Sequence, residues 1–550
     1  MKKIYGSFLV AAMVSAGVCN QKVVAQSQKS AVAGVPNKNK IGSFISVKPT
    51  GQTSTTVIPF ETHSFQLLAK SRSTTYQDGS PMPIGNDFTA YVGKNGSSKE
   101  GYLSINHENT PGGVSILDIH LDESANIWVV DAVRKVDFSP LVQTTRNCSG
   151  GITPWGTVIT SEETTNRADL NKDGYEDVGW QVEIDPVTGK IMDYDGDGKP
   201  DKLWAMGRMS HENIAIGSDR KTIYQAEDGG SNGVYKFVAD EAGNLSAGKL
   251  YVLKRDSETA TTGTWVQVPN TTKADRNNTY VLGRSLGTNW RNPEDIEFGP
   301  DGKMYFTTKG TGDIWRFKDN GETVSEIEAW VTRQEYEIAY NGGTQKEDWG
   351  TGIDNLTFDN EGNLWALQDG GRDNVWVIRP EHTPENPKVE LFMTSPAGSE
   401  PTGLTFSPDF KYGFISLQNA SSGNTTVTKD AAGKDVVFNT ATTIVFSRNQ
   451  FLGKNGNQTQ RKEALATVAS FPNPFRNNTQ VKVNMPNEAE ALLEVYDMHG
   501  LKVETLAKGV LKKGEHVFQF KPAVMAENSM YLVRLILNGQ EATARLMQAE

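Results

Sequence analysis

The feature that most constrains the fold is a strand–turn–strand unit that recurs along the middle of the chain. Each copy contains an apolar strand, a turn built on Asp, Gly or Asn, an aromatic-rich strand and a Gly-rich connection, and a strand with Tyr or Trp often follows. Because such turn residues tolerate positive φ and the strands alternate in polarity, each copy is predicted to form an antiparallel hairpin. The copies occupy residues 216–238, 296–317, 356–378 and 404–418.

Repeated hairpins at this spacing predict an all-β chain that contains a β-propeller. Residues 45–452 could supply about six blades with long insertions, one of which is residues 169–204. Glycine is frequent (53 residues) and helix-type apolar periodicity is scarce, which also favours strands and turns. The alternative is a β-sandwich whose hairpins resemble one another by accident. After a linker at residues 453–466, short alternating strands in residues 467–550 predict a separate, small C-terminal β-sandwich.

The N-terminus, residues 1–25, is predicted to be a signal peptide. Two lysines precede an apolar stretch, and the small residues that end at Ala25 offer a cleavage site. Cys19 raises the alternative of a lipoprotein, but the bulky Val18 before it argues for ordinary cleavage. A low-complexity lead, residues 26–44, follows. No later segment is long and apolar enough to span a bilayer, so we expect an exported chain without a stable transmembrane segment.

Two bulk properties limit the partners and the covalent chemistry. Cleavage after Ala25 would leave one cysteine, Cys148, which excludes a disulfide within the chain. The formal net charge of −11 argues against a nucleic-acid partner, because phosphate backbones are bound through clustered Lys and Arg. An acidic chain is suited to holding divalent or trivalent cations, and solvent-facing acids are the alternative explanation. We expect a monomer.

The C-terminal segment resembles the C-terminal targeting domain of type IX secretion in Gram-negative bacteria. The matching features are Pro-Asn-Pro-Phe at residues 472–475, the turns at YDMHG and Gly514, and YLVRL close to the end. The resemblance implies passage through the outer membrane by the type IX secretion machinery, followed by release or attachment to the cell surface. The alternative is an ordinary terminal β-sandwich adhesion module.

Two short acidic stretches within residues 169–204 match each other and predict calcium loops. Each has Asp, Asn or Asp, and Asp at positions 1, 3 and 5, Gly at position 6, and Asp at position 9, which is the first half of EF-hand spacing. Position 12 is Trp180 or Trp204, so neither stretch is a complete EF-hand. A structural role is predicted, with a plain acidic turn as the alternative. The predicted ligands are Asp169, Asn171, Asp173 and Asp177 in the first loop, and Asp193, Asp195, Asp197 and Asp201 in the second.

Further carboxylates recur near the ends of the predicted hairpins. In a propeller, the inner strand ends and their loops converge on the central channel, so acids that are far apart in sequence would meet there. Several buried like charges cannot coexist unless cations neutralise them, which makes convergent carboxylates a prediction of metals. For any single acid, a solvated turn is the simpler explanation.

At this point the sequence resembles the PhoX-type alkaline phosphatases over residues 100–420. The segment NCSGGITPWGTVITSEE, from Asn147 to Glu163, carries most of the resemblance, and two His-Glu segments, NPED and LWALQDG support it. The resemblance implies a six-bladed propeller with an iron–calcium cluster at the channel mouth, in which a thiolate and carboxylates hold Fe³⁺ and further carboxylates hold calcium. It also implies hydrolysis of phosphate monoesters at alkaline pH.

Individual residues are carried over from this resemblance. Cys148 and Glu163 match the iron ligands, which would meet at one iron only if the chain turns back near Trp155–Gly156. Arg291 and His211 are assigned to the catalytic group, His211 as a hydrogen-bonding support of the ligands. The remaining metal ligands implied by the resemblance are Glu212, Asp228, Glu294, Asp354, Asp369 and Glu400, the last three as calcium ligands or as supports of them.

Two departures from the family pattern bear on activity. The family motif Arg-Pro-Glu is Asn292-Pro293-Glu294 here, with Arg291 one place earlier, and the late Gln-His-Pro-Gly motif is reduced to Gln418. We therefore expect an exported metal-dependent hydrolase of small phosphorylated substrates, monoesters or diesters. The alternatives are a non-catalytic, calcium-braced surface binding propeller and a lactonase-type propeller with a single calcium. The thiol favours the phosphatase, because a lone calcium site has no use for a soft sulfur ligand.

Overall fold

The chain is described here from a computed structural model, which covers two stretches. These are residues 39–453 except 230 and 371, and residues 467–548 except 486–487, 498–501, 523–529 and 538–539. The predicted signal peptide, residues 26–38 of the predicted lead and residues 454–466 of the predicted linker lie outside the described residues. Within them, strands dominate, as the sequence predicts, and no helix has the length and apolar character required to span a membrane.

Apart from longer connections at residues 163–180 and 192–210, the first half of the propeller consists mainly of strands. In chain order they are β1 (His63–Lys70), β2 (Asn86–Gly93), β3 (Glu100–His107), β4 (Gly113–Asp122), β5 (Ile127–Lys135), β6 (Asn147–Ile152), β7 (Val158–Glu162), β8 (Gln181–Asp185), β9 (Lys190–Ile191), β10 (His211–Ile216), β11 (Thr222–Glu227), β12 (Ser231–Asn232), β13 (Val234–Glu241), β14 (Asn244–Arg255) and β15 (Gly263–Val268). Short 3₁₀ turns lie at Lys94–Gly96, Ser139–Leu141 and Trp204–Met206.

Two short helices separate this half from the next, α1 (Lys273–Asn277) and α2 (Thr279–Leu286). Thr272 caps α1 and forms a capping box with Asp275. The following strands are β16 (Trp290–Arg291), β17 (Pro293–Phe298), β18 (Met304–Thr308), β19 (Asp313–Asp319), β20 (Thr323–Val331), β21 (Glu335–Tyr340), β22 (Gly343–Asp348), β23 (Ile353–Phe358), β24 (Leu364–Gln368), β25 (Asn374–Ile378), β26 (Val389–Thr394), β27 (Glu400–Phe406), β28 (Tyr412–Gln418), β29 (Thr428–Lys429), β30 (Asp435–Val436) and β31 (Thr442–Arg448).

These strands form six four-stranded antiparallel blades within the described residues 39–453. In order, the blades are β2–β5, β6–β9, β10–β11–β13–β14, β17–β20, β23–β26 and β27–β28–β31–β1. Strand β15 pairs with both β14 and β20, so the third and fourth blades are joined at their outer edges in one nine-stranded sheet. The N-terminal strand β1 pairs with β31, so the last blade joins the two ends of the propeller. The innermost strands β2, β6, β10, β17, β23 and β27 contact one another in a closed ring. The predicted propeller of about six blades is therefore confirmed.

The apolar residues of the predicted hairpins lie between the blades. Six hydrophobic clusters occur in the described part of the propeller, one at each junction between neighbouring blades. At the junction of the first and last blades, for example, Leu103 and Ile105 pack with Tyr412 and Phe414. Alternation along each strand thus buries one face against each neighbour, which fixes the ring and the orientation of its inner strands.

The C-terminal residues form two antiparallel sheets with a core of their own. The strands are β32 (Thr467–Phe471), β33 (Thr479–Met485), β34 (Ala489–Asp497), β35 (Lys502–Leu511), β36 (Gly514–Phe520), β37 (Met530–Leu537) and β38 (Gln540–Met547). One sheet has the order β32–β33–β36 and the other β35–β34–β37–β38. Val481 and Val483 of the first sheet share a cluster with Leu493, Val533 and Leu546 of the second.

Candidate metal centre

The six innermost strands share one irregularity that decides which side chains reach the end of the central channel. Near its first residue, each of them contains a β-bulge, where its register against the second strand of the blade shifts. A bulge interrupts the alternation of side chains along a strand, so the bulged residue's side chain points in a different direction from the one it would have in a regular strand. In five blades the first bulged residue carries a carboxylate or a thiol, and in the sixth it is Gly403. We call these five residues the bulge set: Asp87, Cys148, Glu212, Glu294 and Asp354.

A second set of side chains comes from the residue that directly follows the second strand of the same five blades. We call these residues the turn set: Glu108, Glu163, Asp228, Lys309 and Asp369. The backbone N–H of each donates a hydrogen bond of 2.7–3.0 Å to the carbonyl oxygen two residues before the bulge-set member of its blade. The repeated bond means that the five blades present both sets from equivalent backbone positions.

Ligand atoms of these sets meet between neighbouring blades. In the described residues, three groups at this end of the propeller have all their ligand atoms within 4.8 Å of one another. The groups are Asp87–Glu108–Cys148, Cys148–Glu163–Glu212 and Glu212–Glu294–Asp354. Cys148 belongs to two groups and so does Glu212. The groups therefore form one continuous row rather than separate sites.

The hairpin of the second blade brings Cys148 and Glu163 together. Strands β6 and β7 pair antiparallel, and the turn between them is closed by a 3.0 Å hydrogen bond from the Gly156 N–H to the Thr153 carbonyl. Gly156 has φ 91°, a conformation that glycine adopts without strain. The predicted turn near Trp155–Gly156 is thus confirmed, and it places Cys148 and Glu163, from the two ends of the segment NCSGGITPWGTVITSEE, in one group.

Cationic side chains lie among the carboxylates. The Arg146 guanidinium contacts Glu108 at 2.6 Å and also pairs with Glu163, while about half of its side chain (45%) remains exposed. The Lys309 ammonium lies 2.7 Å from both Asp354 and Asp369. The cluster contains nine carboxylates, and in the described part of the chain these two cations form ion pairs with five of them: Arg146 with Glu108 and Glu163, and Lys309 with Glu294, Asp354 and Asp369. The nine are Asp87, Glu108, Glu163, Glu212, Asp228, Glu294, Asp354, Asp369 and Glu400.

The excess of negative charge shifts the proton affinities of the cluster. Burial and then the neighbouring Glu108 raise the pKa of Asp87 to about 7. Burial and Glu108 also raise the pKa of Glu163 to about 8, although Arg146 opposes the shift. Burial, followed by the surrounding carboxylates, raises the pKa of Cys148 well above its usual value, and its thiol lies 3.4 Å from Asp87. Groups with such shifts gain from a cation that takes the place of their protons.

The donor set fits metal ions. Glu294 is 2% exposed, and its Oε1 faces Glu212 and Asp354 and has no hydrogen-bond partner among the described residues, although the Lys309 ammonium lies 3.8 Å away. An unpaired buried carboxylate oxygen is costly unless a cation satisfies it. The thiol suits a soft, strongly bound metal such as iron, whereas the groups made of carboxylates suit iron or calcium.

Arg291, which the sequence predicts to be catalytic, lies in an exposed position of a short strand. Arg291 pairs with Ser231 in a short ladder, is exposed, and contacts none of the cluster residues in the described part of the chain. Asn292 follows with φ 50° and directs its side-chain amide to the Asp228 carboxylate. Asn292, not Arg291, therefore faces the centre.

His211 and His107 are buried and hydrogen-bonded at strand ends, a position suited to the supporting role predicted for His211. His211 is fully buried, donates from Nε2 to the Gly207 carbonyl at 2.9 Å, and accepts at Nδ1 from Gln181 at 3.1 Å. Burial lowers its pKa to about 4. His107 is likewise buried, with Nε2 2.6 Å from the Ser115 hydroxyl, and burial lowers its pKa to about 4. Both rings stay neutral and brace strand ends.

The remaining predicted ligands and the residues that sequence reasoning missed complete the cluster. Glu400 begins β27, and burial, followed by the carboxylates of Asp369 and Asp87, raises its pKa well above the usual value. Gln418 donates to Asp87 at 2.8 Å and to Glu108 at 3.1 Å. Four contributing residues were not predicted from the sequence, whereas Glu108 belongs to one of the two His-Glu segments that the sequence singles out; the four are Asp87, Arg146, Lys309 and Gln418.

The two predicted calcium loops have the same backbone geometry. In each, the carboxylate at position 1 accepts a hydrogen bond from the glycine N–H at position 6, Gly174 at 3.1 Å or Gly198 at 2.9 Å. The carboxylate at position 9 accepts from the N–H at position 2, Leu170 or Tyr194. The carboxylate oxygens of the second loop at positions 1, 3 and 5 lie within 4.8 Å of one another.

The tryptophans at position 12 hold the two loops together. Trp180 and Trp204 meet edge to face with ring centroids 4.8 Å apart, and Tyr175 of the first loop stacks on Trp204 at 4.3 Å. The residues that replace the EF-hand glutamate therefore contribute packing where an EF-hand contributes a ligand.

Comparisons with known proteins agree with this architecture. The family model described as alkaline phosphatase PhoX matches residues 124–421. PhoX from Pseudomonas fluorescens, solved in complex with vanadate as a transition state analogue, is 19% identical, with a TM-score of 0.56 over 74% of this chain and 99% of that chain. A streptogramin B lyase is 12% identical, with a TM-score of 0.36 over 71% of this chain and 99% of that one. No curated protein matches the chain. The likeness to the solved PhoX structure supports the fold.

Proposed function

The chain belongs to the PhoX family of alkaline phosphatases, and from this membership we propose that it is an exported, metal-dependent phosphatase of small phosphate monoesters, with diesters as a second substrate class. The observation that carries the proposal is the row of ligand groups in which Cys148 joins carboxylates from neighbouring blades. We assign iron (Fe³⁺) to the group that contains Cys148, Glu163 and Glu212, because it combines a thiolate with carboxylates. Calcium is assigned to the rest of the row.

The protein's own residues prepare this centre for an anionic substrate. When bound, iron and calcium would supply the positive charge and Lewis acidity that phosphate ester hydrolysis requires. The Cys148 thiol, which lies within 3.5 Å of Asp87 and Glu212, would lose its proton to solvent on metal binding, because the thiolate and the carboxylates act as ligands in their deprotonated forms. Gln418 orients Asp87 and Glu108 through its amide.

Arg146 is our candidate for the residue that binds the phosphate group. It lies two residues before Cys148, as Asn292 lies two residues before Glu294, and both have φ 50°. Where the family motif has an arginine in the fourth blade, this chain therefore has one at the equivalent place in the second. Metal ions on Glu108 and Glu163 would release the half-exposed guanidinium, whose planar fork matches two phosphate oxygens.

The test combines metal analysis with hydrolysis of p-nitrophenyl phosphate at alkaline pH. We expect iron and calcium in aerobically purified protein, and loss of both iron and hydrolysis in Cys148→Ala. A Glu335→Gln variant, which removes an exposed carboxylate in β21, serves as the matched control. Active protein without iron, or Cys148→Ala with full iron and full activity, would contradict the assignment.

A second candidate function is a non-catalytic, calcium-braced binding propeller. It is favoured by Asn292, whose amide holds Asp228 where an arginine could have faced a phosphate group. Protein that contains iron but hydrolyses neither mono- nor diesters, while it still binds orthovanadate or phosphate, would support this function. A lactonase-type hydrolase would instead require calcium alone and would cleave lactones after iron is removed.

Two further assignments belong to this proposal. The loops at residues 169–177 and 193–201 bind calcium as structural braces, and residues 467–550 direct the chain through the type IX secretion machinery to the medium or cell surface. Expression with and without residues 467–550 in a Gram-negative host that has this machinery tests the second assignment. We expect the shortened chain to stay in the periplasm. Equal amounts of both chains outside the cell would contradict it.

A further inference from the structure

Lys309 occupies a position at which the other members of the turn set carry carboxylates. In four blades, the residue after the second strand is Glu108, Glu163, Asp228 or Asp369. In the fourth blade it is Lys309, which follows β18 directly. Its N–H donates to the Asn292 carbonyl at 2.8 Å, which is the same bond that the four carboxylate residues make in their own blades. The lysine therefore replaces a carboxylate at an equivalent place.

Lys309 is placed like the turn-set carboxylates of the first two ligand groups, but it carries a positive charge where they carry a negative one. In the first two groups, a turn-set carboxylate lies between two bulge-set residues of neighbouring blades, as Glu163 lies between Cys148 and Glu212. Lys309 lies in the same way between Glu294, at 3.8 Å, and Asp354, at 2.7 Å. Its ammonium also contacts Asp369 at 2.7 Å. Three carboxylates thus surround one protein cation.

The backbone holds this ammonium in place. The Lys309 carbonyl accepts a 3.0 Å hydrogen bond from the Gly352 N–H, so the residue is fixed to both the fourth and the fifth blade. Its side chain is 30% exposed, and Glu294 and Asp354, which it faces, are 2% and 14% exposed. Burial strengthens the attraction between these charges compared with a surface ion pair.

We propose that Lys309 is a resident cation, which fills the position between Glu294, Asp354 and Asp369 that a divalent ion such as calcium would otherwise occupy. The row of ligand groups therefore ends at Glu212–Glu294–Asp354. Beyond that group, the Lys309 ammonium and not a metal ion balances the charge of the carboxylates. The inference deepens the proposed function and rests on the cluster being a metal centre. It concerns how many ions the cluster holds, whereas the proposed function concerns iron and hydrolysis.

The substitution Lys309→Met tests this inference. It keeps the apolar stem but removes the charge, so three carboxylates lose their cation and should take up calcium instead. We expect about one further equivalent of calcium per chain in elemental analysis, together with a larger rise of Tm on addition of calcium. Lys309→Arg keeps the charge and should retain the calcium content of the unmodified protein.

Lys429→Met is the matched control, because it removes a lysine from an exposed pair with Asp435 at 2.6 Å. It should leave the metal content unchanged. A folded Lys309→Met variant with unchanged calcium content would overturn the inference. If this variant folds only when calcium is present, the rescue supports the inference, and failure of calcium to rescue it contradicts the inference. Absence of iron from the unmodified protein would count against the proposed function instead.

Discussion

Two acidic regions of the propeller differ in how the negative charges of their carboxylates are compensated. In the loops at residues 169–177 and 193–201, carboxylates are local in sequence and accept hydrogen bonds from N–H groups of their own loop. In the candidate metal centre, the carboxylates come from all six blades and are largely buried, and some of them contact Arg146 or Lys309. The loops can hold their shape without an ion. Among the described residues, the centre has buried carboxylate oxygens without a hydrogen-bond partner, such as Glu294 Oε1, which the Lys309 ammonium approaches only to 3.8 Å.

The two regions therefore differ in how strongly their stability and chemistry would depend on bound cations. A loop that satisfies its own carboxylates gains only modestly from calcium, whereas a cluster of buried carboxylates depends on cations for both its charge balance and its chemistry. The two regions are also connected. Lys202 donates to Glu162 at 2.8 Å and to the carbonyl of Asp177 in the first loop at 2.6 Å. Glu162 directly precedes Glu163 of the centre.

The sharpest contrast is expected for Glu212→Gln. Glu212 belongs to two ligand groups, so its replacement by an uncharged isostere removes a ligand from both. We expect hydrolysis of p-nitrophenyl phosphate to fall about a thousandfold, with the fold retained because a buried like charge is lost. Glu335→Gln, on the exposed hairpin, should retain activity within about twofold. Full activity of Glu212→Gln would show that the cluster takes no part in hydrolysis.

Lys202→Met probes the connection between the two regions. Lys202 and Glu162 are 1% and 0% exposed, and the variant leaves the Glu162 carboxylate buried without its cation. We expect the free energy of unfolding to decrease by about 3–5 kcal/mol, measured by urea denaturation. Lys429→Met on the surface should cost at most about 1 kcal/mol. Equal effects of the two substitutions would show that the buried pair has no special role.

The pH dependence of stability distinguishes the centre with and without metals. In the metal-free protein, the pKa of Asp87 rises from 3.8 to about 7 and that of Glu163 from 4.5 to about 8. The folded state then binds more protons than the unfolded state between about pH 4 and pH 8, so these groups lose stability as pH rises through this window. Urea unfolding after chelation should therefore be easier at pH 8 than at pH 5.

Metal-loaded protein is the control for this pH dependence. Bound cations replace the protons, so the loss of stability between pH 5 and pH 8 should be much smaller. If the chelated protein becomes more stable at the higher pH relative to the loaded protein, the charge balance assigned to the centre is wrong.

The smallest effect is expected in the loops. Asp193→Asn removes a carboxylate charge from position 1 of the second loop, while an amide oxygen can still accept from the Gly198 N–H. We expect calcium to stabilise this variant about 1 kcal/mol less than the unmodified protein. Terbium luminescence excited through Trp180 and Trp204 should decrease in parallel. Loss of activity as large as that of Glu212→Gln would contradict the separation of the two regions.

The sequence predicts what is local and misses what depends on register. The repeated hairpins predict the propeller because alternation and turn residues are readable within each unit. The matching backbone geometry of the two acidic loops and the turn at Gly156 follow from spacing alone, whereas calcium binding by the loops stays a prediction. By contrast, Asp87 and Lys309 enter the centre through the bulges and the strand ends, whose alignment between blades is a property of the closed ring.

A signal for some of the missed residues was present in the chain. Asp87, Cys148 and Glu212 each stand second in an innermost strand and are followed within two residues by an apolar side chain or glycine. Comparing the units at this position would have added Asp87 to the predicted ligands. The same comparison would have predicted that Asn292, not Arg291, faces the centre, because Asn292 lies two residues before Glu294, as Arg146 lies two residues before Cys148.

X-ray absorption at the iron edge, on aerobically purified protein, tests the central claim most directly. The claim is that Cys148 and carboxylates from neighbouring blades hold one iron at the channel end. We predict one sulfur neighbour at about 2.3 Å, as in other metal–thiolate bonds, with oxygen ligands completing the shell, and loss of the sulfur signal in Cys148→Ala. Iron surrounded by oxygen or nitrogen alone, or no iron in active protein, would contradict it.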